Sequence, residues 1–318
     1  MKNFTSVSDI NDVESLVNEA IALKKDPVNL SIGSGKTLGL LFFNPSLRTR
    51  LSSQKAAYNL GMNVMTLNID EDGWKIEFED GAVMDQGSQE HIKDAVQVIS
   101  QYCDILGVRT FAGLKNRKDD YQEKVLSSFI AHATIPVISL ESATLHPLQS
   151  LADLITIKEQ GIVWPKVAVS WAPHPRPLPQ AVVNSFLEWI MKTDAEVVLT
   201  HPHRYELSEK FTRGVTINYN QEEALAGADF VYAKNWSAYE SYGQKISEDP
   251  AWTITMDKMK LTNHGRFMHC LPVRRNVIAT DEVIDNSLVI KQAENRIYAA
   301  QIVLKKLLEL QHEVAASH

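Results

Sequence analysis

The strongest constraint on this chain is its rhythm: short apolar runs alternate with amphipathic stretches along nearly all of its 318 residues. Residues 36–43 (KTLGLLFF) read as a buried strand, and residues 49–60 follow with helical spacing until Gly61 stops them. Residues 62–69 read as a second strand, 91–101 as a helix, 103–108 (CDILGV) as a strand, 121–132 as a helix and 136–140 as a strand. A long helix over 148–159 begins just after Pro147, where proline suits the first turn. The second half repeats the pattern, with strands expected at 166–171, 196–200, 230–233 and 267–271, a further short strand at 288–290, and a closing helix at 295–310. Alternation of this kind predicts parallel sheets covered by helices on both faces. Two such blocks of about equal length predict an α/β chain of two doubly wound parallel-sheet domains, with a boundary near residues 140–151. Ligands of open α/β sheets bind beyond the carboxyl ends of the strands, so the informative side chains are expected just after strands.

Composition narrows the function. The chain is 44% hydrophobic and 22% charged, which is globular rather than disordered. Its net charge of -7 argues against nucleic acid as a partner, so any bound anion must be gripped by a local cluster of positive groups. The two cysteines, Cys103 and Cys270, each sit in an apolar run, as buried free thiols do, and no disulfide framework is expected. No apolar stretch approaches the ~20 residues that span a bilayer, and residues 1–12 lack a basic-then-apolar leader pattern. A soluble cytoplasmic protein without membrane contact is expected.

The strand ending at Phe43 runs into Asn44-Pro45-Ser46-Leu47-Arg48-Thr49-Arg50, which opens a helix. A helix N-terminus offers unpaired N–H donors and a partial positive charge, which favour phosphate. Ser46 and Thr49 add hydroxyls, and Arg48 adds a planar fork matched to a phosphate or carboxylate edge. Three more stretches stand in order after it: Gly107-Val108-Arg109, His146-Pro147-Leu148-Gln149, and His269-Cys270-Leu271-Pro272 leading into Arg274-Arg275-Asn276. Together they resemble the aspartate and ornithine carbamoyltransferase superfamily, whose Ser-x-Arg-Thr-Arg signature the first segment matches, and the resemblance covers essentially the whole chain.

The resemblance implies a division of labour. Ser46, Leu47, Arg48 and Thr49 would hold the phosphate of carbamoyl phosphate, while Arg50 serves the ligand or the fold. Arg109 and His146 would be the catalytic pair, pointed at the carbonyl oxygen where negative charge grows. Gln149 and the backbone carbonyls of Cys270 and Leu271 would bind the carbamoyl nitrogen, and Arg296 would reach the ligand from the last helix. The Cys270 thiol reads as packing and Gly107 as a site of close backbone approach. The substrate's own amine attacks, so no covalent nucleophile, cofactor or metal is implied, and no His/Cys cluster shows metal-ligand spacing.

The acceptor is read from the second half. Trp171-Ala172-Pro173-His174-Pro175-Arg176-Pro177-Leu178 and Tyr232-Ala233-Lys234-Asn235-Trp236 stand where ordinary ornithine enzymes carry an acidic and amide set and a Ser-Met-Gly loop. A pocket with His174, Arg176 and Lys234 suits an ornithine whose α-amine is acylated. Both segments resemble the N-acetylornithine and N-succinylornithine carbamoyltransferases. By that resemblance Glu141, Arg274 and Gln89 join the acyl-ornithine site, and Trp74 in the Asp72-Gly73-Trp74 loop reaches the site of a neighbouring subunit in a homotrimer, contacting carbamoyl phosphate there. The acetyl enzymes place Glu at the position of Gln89 and the succinyl enzymes Pro; Gln89 matches neither. Neutral Gln89 would not repel a succinyl carboxylate, and Arg176 with Leu178-Pro179-Gln180-Ala181-Val182 follows the succinyl pattern, so N-succinyl-L-ornithine is favoured. N-acetyl-L-ornithine is the alternative, followed by ornithine and by a non-catalytic anion-binding protein. Residues 1–145 are expected to bind carbamoyl phosphate and 146–295 the acyl-ornithine, with the active site in the cleft between them and 296–318 forming a helix that packs back on the first domain.

Overall fold

The computed structural model describes residues 1–316; residues 317–318, the end of the expected C-terminal segment, lie outside it. The chain divides into two compact units. Met1–Ala112, Lys118–Leu148 and the segment from Arg296 onward form unit 1, and Gly113–Arg117 with Gln149–Asn295 form unit 2.

Unit 1 is built on four parallel strands in the order β2-β1-β5-β6, where β1 is Thr37–Phe42, β2 Asn63–Asn68, β5 Ile105–Arg109 and β6 Val137–Glu141. Between β2 and β5 lies a separate parallel pair of two-residue strands, β3 (Ile76–Glu77) and β4 (Glu90–His91). The inner strands β1 and β5 are apolar and buried along nearly their whole length, as a sheet covered on both faces requires. Leu41, Leu106, Val108 and Val137 pack with Ile92 and Val96 of the helix Ile92–Tyr102 and with Leu126 and Phe129 of the helix Lys124–His132. A Cβ at Gly107 would come within 3.0 Å of Leu40 and 3.2 Å of Leu140, so a side chain at this central strand position would have to push those leucines aside by a few tenths of an ångström. Gly61 ends the helix Arg48–Asn59 with φ +78, and a Cβ there would meet the Leu30 carbonyl. The outer edge of β6 is occupied by the chain's beginning: Phe4 N–H donates to Val137 O, and Ser139 N–H donates back to Phe4 O.

Unit 2 holds five parallel strands in the order β11-β10-β7-β8-β9, where β7 is Lys166–Trp171, β8 Glu196–Thr200, β9 Thr216–Asn218, β10 Phe230–Lys234 and β11 Arg266–Met268. Its core joins Ala168, Val231 and Phe267 of the sheet to Leu225, Ile254, Ile278, Val283 and Val289. Residues 288–290, expected as a strand, instead enter the helix Val289–Ala316. Val289 is buried and Ile290 is 71% exposed, and burial recurs at Gln292, Asn295, Arg296 and Ala299, the spacing of a helix rather than the alternation of a strand.

Each sheet reverses strand order once. In unit 1 the reversal lies between β1 and β5, and in unit 2 between β7 and β10. These are the switch points where the carboxyl ends of neighbouring strands splay apart to receive a ligand.

Candidate active site in two halves

At the switch point of unit 1, Phe42 of β1 is the register partner of Arg109 at the end of β5. A register shift at Val108/Arg109 sets Arg109 opposite Glu141 of β6. The Arg109 guanidinium is buried and used on two sides. One terminal nitrogen donates to Asn44 O and Pro45 O, each at 3.0 Å, and the other donates to Glu141 Oε2 at 2.7 Å. Arg109 thereby fixes the Asn44–Pro45 turn that leads into Ser46 and Leu47, and so the start of the helix Arg48–Asn59. Its Nε is buried without a hydrogen-bond partner, a donor that an incoming oxygen atom would satisfy.

The helix Arg48–Asn59 starts without a side-chain cap, which leaves its first N–H groups for another acceptor. Thr49, in its first turn, is buried and its Oγ1 accepts from Arg296 at 2.7 Å. Arg50 is committed to the fold: it donates to Asn68 Oδ1 and its guanidinium carbon lies 5.0 Å over the Phe42 ring.

His146 is buried 3.8 Å from Glu141 Oε2. Burial first, and then the positive charges of Arg296 and Arg109, push its pKa well below the ordinary histidine value, so the imidazole is neutral at physiological pH. The loop before it is held by one side chain. The Glu123 carboxylate accepts from Ser142 Oγ, Ala143 N, Thr144 N and Thr144 Oγ1 at 2.5–3.1 Å. Sequence reasoning missed Glu123, because nothing in its local pattern announces a role 20 residues further on. Glu141, expected with the acyl-ornithine set, lies in unit 1 against Arg109 and His146.

Trp74 and Gln89 flank the β3–β4 pair. Trp74 is 53% exposed and its Nε1 donates to Glu90 Oε2 at 2.7 Å. Gln89 has an exposed side chain, and its backbone N–H donates to Lys75 O at 3.0 Å.

At the switch point of unit 2, Trp171 of β7 and Lys234 of β10 are register partners, and Ala172 N–H donates to Lys234 O at 3.1 Å. Two tryptophans brace the loops beyond: Trp171 Nε1 donates to Trp236 O at 3.1 Å and Trp236 Nε1 to Tyr205 O at 2.8 Å. Asn235 Nδ2 donates to Ala172 O at 2.8 Å and joins the two loops directly. On this frame His174 Nε2 accepts from Arg274 Nε at 3.0 Å, which leaves the ring proton on Nδ1, facing Arg176 O at 2.7 Å. Burial lowers the His174 pKa, the bond to Arg176 O opposes that, and Lys234, Arg274 and Lys245 lower it further. The side chain is a neutral strut between loops that carry Arg176, Lys234 and Arg274. Lys245, which sequence reasoning did not single out, adds a cation here and donates to Pro175 O at 3.1 Å. Lys234 is buried, whereas Arg176 and Arg274 are exposed.

Also in unit 2, Gln149 Nε2 donates to Asp153 Oδ1 at 2.8 Å. His269 N–H donates to Gln292 Oε1 at 2.9 Å, which fixes the segment leading into Cys270 and Leu271, and the Leu271–Pro272 peptide is cis. Cys103 and Cys270 are free thiols. Among the described residues no group of three or more His, Cys, Asp or Glu is placed to hold a metal ion, and no helix is long and apolar enough to cross a membrane.

Residues 2–159 match the aspartate/ornithine carbamoyltransferase carbamoyl-P binding domain, and residues 179–307 match the Asp/Orn binding domain of the same family. The chain is 54% identical over 315 residues to the N-succinylornithine carbamoyltransferase of Bacteroides fragilis, a match covering 97% of this chain and 99% of that protein. It is 34% identical over 333 residues to the N-acetylornithine carbamoyltransferase of Xanthomonas axonopodis pv. citri, covering 96% of each. A glutamate-to-alanine mutant of N-acetyl-L-ornithine transcarbamylase, crystallised with carbamyl phosphate and N-succinyl-L-norvaline, superimposes with a TM-score of 0.91 at 35% identity, covering 96% of this chain and 100% of that one.

Proposed function

The chain belongs to the aspartate/ornithine carbamoyltransferase family, and from that premise we propose that it transfers the carbamoyl group of carbamoyl phosphate to N-succinyl-L-ornithine, giving N-succinyl-L-citrulline and phosphate in arginine biosynthesis. The observation that carries the chemistry is the buried Arg109, whose Nε lacks a partner while its other nitrogens are anchored. Such a donor is preorganised for the oxygen of a substrate carbonyl.

The phosphate sits on the helix N-terminus between Ser46, the Leu47 backbone, Arg48 and Thr49, with Arg296 behind Thr49. Arg109 and neutral His146 donate to the carbonyl oxygen, where charge accumulates as the amine attacks. Gln149 and the carbonyls of Cys270 and Leu271 accept from the carbamoyl NH2 group. The acceptor's side-chain amine has an unperturbed pKa of ~10.4 and reacts as the free base, so desolvation beside cations assists by lowering that value. A nitrogen–carbon bond forms, the carbon–oxygen bond to phosphate breaks, and the leaving phosphate takes the proton. Positioning and electrostatics supply the acceleration.

Arg176, Lys234, Arg274 and His174 receive the acyl-ornithine, with Glu141 and Gln89 completing its site. A cationic surround fits an acceptor that has exchanged its α-ammonium for an acylamide and a second carboxylate. The name of the relative in Bacteroides fragilis supports succinyl over acetyl. Neutral Gln89 supports it as well, because it places no anion beside that carboxylate.

The working form is a cytoplasmic homotrimer in which Trp74 completes the site of a neighbour. Leu47, Leu51, Tyr58, Met65 and Trp74 are each exposed on unit 1, apolar side chains available to a subunit contact. Trp74→Ala should raise the acceptor KM about tenfold while leaving the melting temperature nearly unchanged, because the ring is half in solvent. A catalytically competent monomer would contradict the shared site. The acceptor is tested by phosphate release from carbamoyl phosphate with ornithine, N-acetylornithine or N-succinylornithine. Fastest turnover with N-succinylornithine supports the assignment, and preference for either other amine overturns it.

A further inference from the structure

We propose that Asp153 is a positioning residue that fixes the polarity of the carbamoyl-nitrogen subsite, forcing both neighbouring glutamine amides to present oxygen rather than NH2 away from itself. The proposal deepens the assignment of Gln149, Cys270 and Leu271 to the carbamoyl NH2 group and rests on it.

Asp153 is 0% exposed on the helix Pro147–Lys158, one turn beyond Gln149. Three donors from three elements converge on it. Oδ1 accepts from Gln149 Nε2 at 2.8 Å and from Gln292 Nε2 at 2.9 Å, and Oδ2 accepts from Tyr232 OH at 2.8 Å. An ionised carboxylate can only accept hydrogen bonds. Any amide that bonds to it must therefore spend its NH2 end there, and its oxygen faces the other way.

Each arm carries that polarity onward. Gln149, with its NH2 end spent on the carboxylate, turns Oε1 away from Asp153, an acceptor matched to a carbamoyl NH2 donor. Gln292 directs Oε1 at His269 N–H, 2.9 Å away. That bond fixes the backbone just before Cys270 and Leu271, whose carbonyls are the other acceptors for the same NH2. One buried carboxylate thus governs every proposed acceptor for that NH2 group, without touching substrate.

The alternative for such a group is a plain core hub that holds strands and helices together. The two roles separate by ligand. Acetyl phosphate has the phosphate and carbonyl of carbamoyl phosphate but a methyl in place of the NH2. A polarity device distinguishes the two compounds and a core hub does not. Asp153→Asn offers its partners a donor as well as an acceptor, so the Gln149 amide is free to invert and set its NH2 against that of carbamoyl phosphate.

The test is steady-state kinetics of the full chain with N-succinylornithine, reading the KM of carbamoyl phosphate and the competitive inhibition constant of acetyl phosphate. In Asp153→Asn the KM should rise about tenfold, the size of one neutral hydrogen bond lost, while acetyl phosphate inhibits within twofold of its original strength. A parallel weakening of both ligands, or no change in either, overturns the proposal. If the unmodified enzyme itself fails to prefer carbamoyl over acetyl phosphate, the fault lies in the assignment of Gln149, and the proposal falls with it. Gln292→Met keeps the carboxylate and cuts only the second arm, so it serves if Asp153→Asn does not fold. It should shift the same ratio about threefold, and an unshifted ratio there also overturns the proposal.

Discussion

The two switch points use one topology for opposite ends. In unit 1 the polar groups are buried and tied to one another: Arg109 to Glu141 and the Asn44–Pro45 carbonyls, Arg296 to Thr49, and the loop before His146 to Glu123. In unit 2 the cations stand on braced loops but reach outward, with Arg176 and Arg274 exposed. A labile dianion of constant shape rewards a rigid cage, because donors already in place need no reorganisation as charge develops. An acceptor whose acyl group varies is better met by long side chains on a firm frame. Chemistry should therefore be fragile in unit 1 and specificity adjustable in unit 2.

The largest effect should come from Arg109→Ala, which removes a carbonyl donor and strands the buried Glu141. We expect kcat to fall about 10²–10³-fold and folding stability to drop by roughly 3–5 kcal/mol, read by turnover and by denaturant melts. A loss confined to stability would move Arg109 out of the chemistry. Arg176→Ala, in unit 2, should cost about fivefold in kcat/KM with N-succinylornithine and much less with N-acetylornithine, since an exposed cation facing one extra carboxylate is worth up to ~1 kcal/mol. Equal losses with the two substrates would erase the proposed division between the halves.

A third experiment compares one buried histidine from each unit. Burial lowers the pKa of both His146 and His201, with the nearby arginines reinforcing the shift at His146 and the Pro202 carbonyl opposing it at His201. In the unfolded chain both titrate near ~6.5. Below that pH the unfolded state binds more protons than the folded one, so the stability these groups contribute is present above pH ~6.5 and is lost as pH falls toward their folded values. Each contributes a slope of up to ~1.4 kcal/mol per pH unit. His201 is ringed by Tyr219 and Trp236, at centroid distances of 5.3 and 6.2 Å. His201→Phe should flatten the fall in melting temperature between pH 7 and 5 while leaving kcat intact. An unchanged acid slope would show that His201 titrates in the fold as it does in the unfolded chain, with no shift from burial. The smallest effect should be that of Cys270→Ala. With only its backbone carbonyl assigned to the ligand, kcat should stay within about threefold, and abolished turnover would instead point to thiol chemistry.

Most strands of the two sheets are legible because a covered parallel sheet writes itself as apolar runs: residues 166–171 and 196–200 are strands end to end. The strand Thr216–Asn218 was not legible. It is a three-residue edge with an exposed first half, and it buries too little to leave a pattern. The last helix was read as beginning six residues late, at Asn295 rather than Val289. Its buried face opens with Val289 but continues through the polar Gln292, Asn295 and Arg296, so a count of apolar residues loses the helical stripe until Ala299. The same blindness hid Asp153 and Glu123. Arginines and histidines after strands advertise ligand binding through position and type, whereas a buried acid that aligns other side chains is recognisable only from what converges on it.

The pairing of Phe4 with β6 has a practical reach. An open strand rim invites a second chain to add itself, and here the first few residues occupy that rim with a fully buried aromatic ring. Trimming residues 1–5, or fusing a bulky partner close to Phe4, would bare a ready template for aggregation. Purification handles and reporters therefore belong at the opposite terminus.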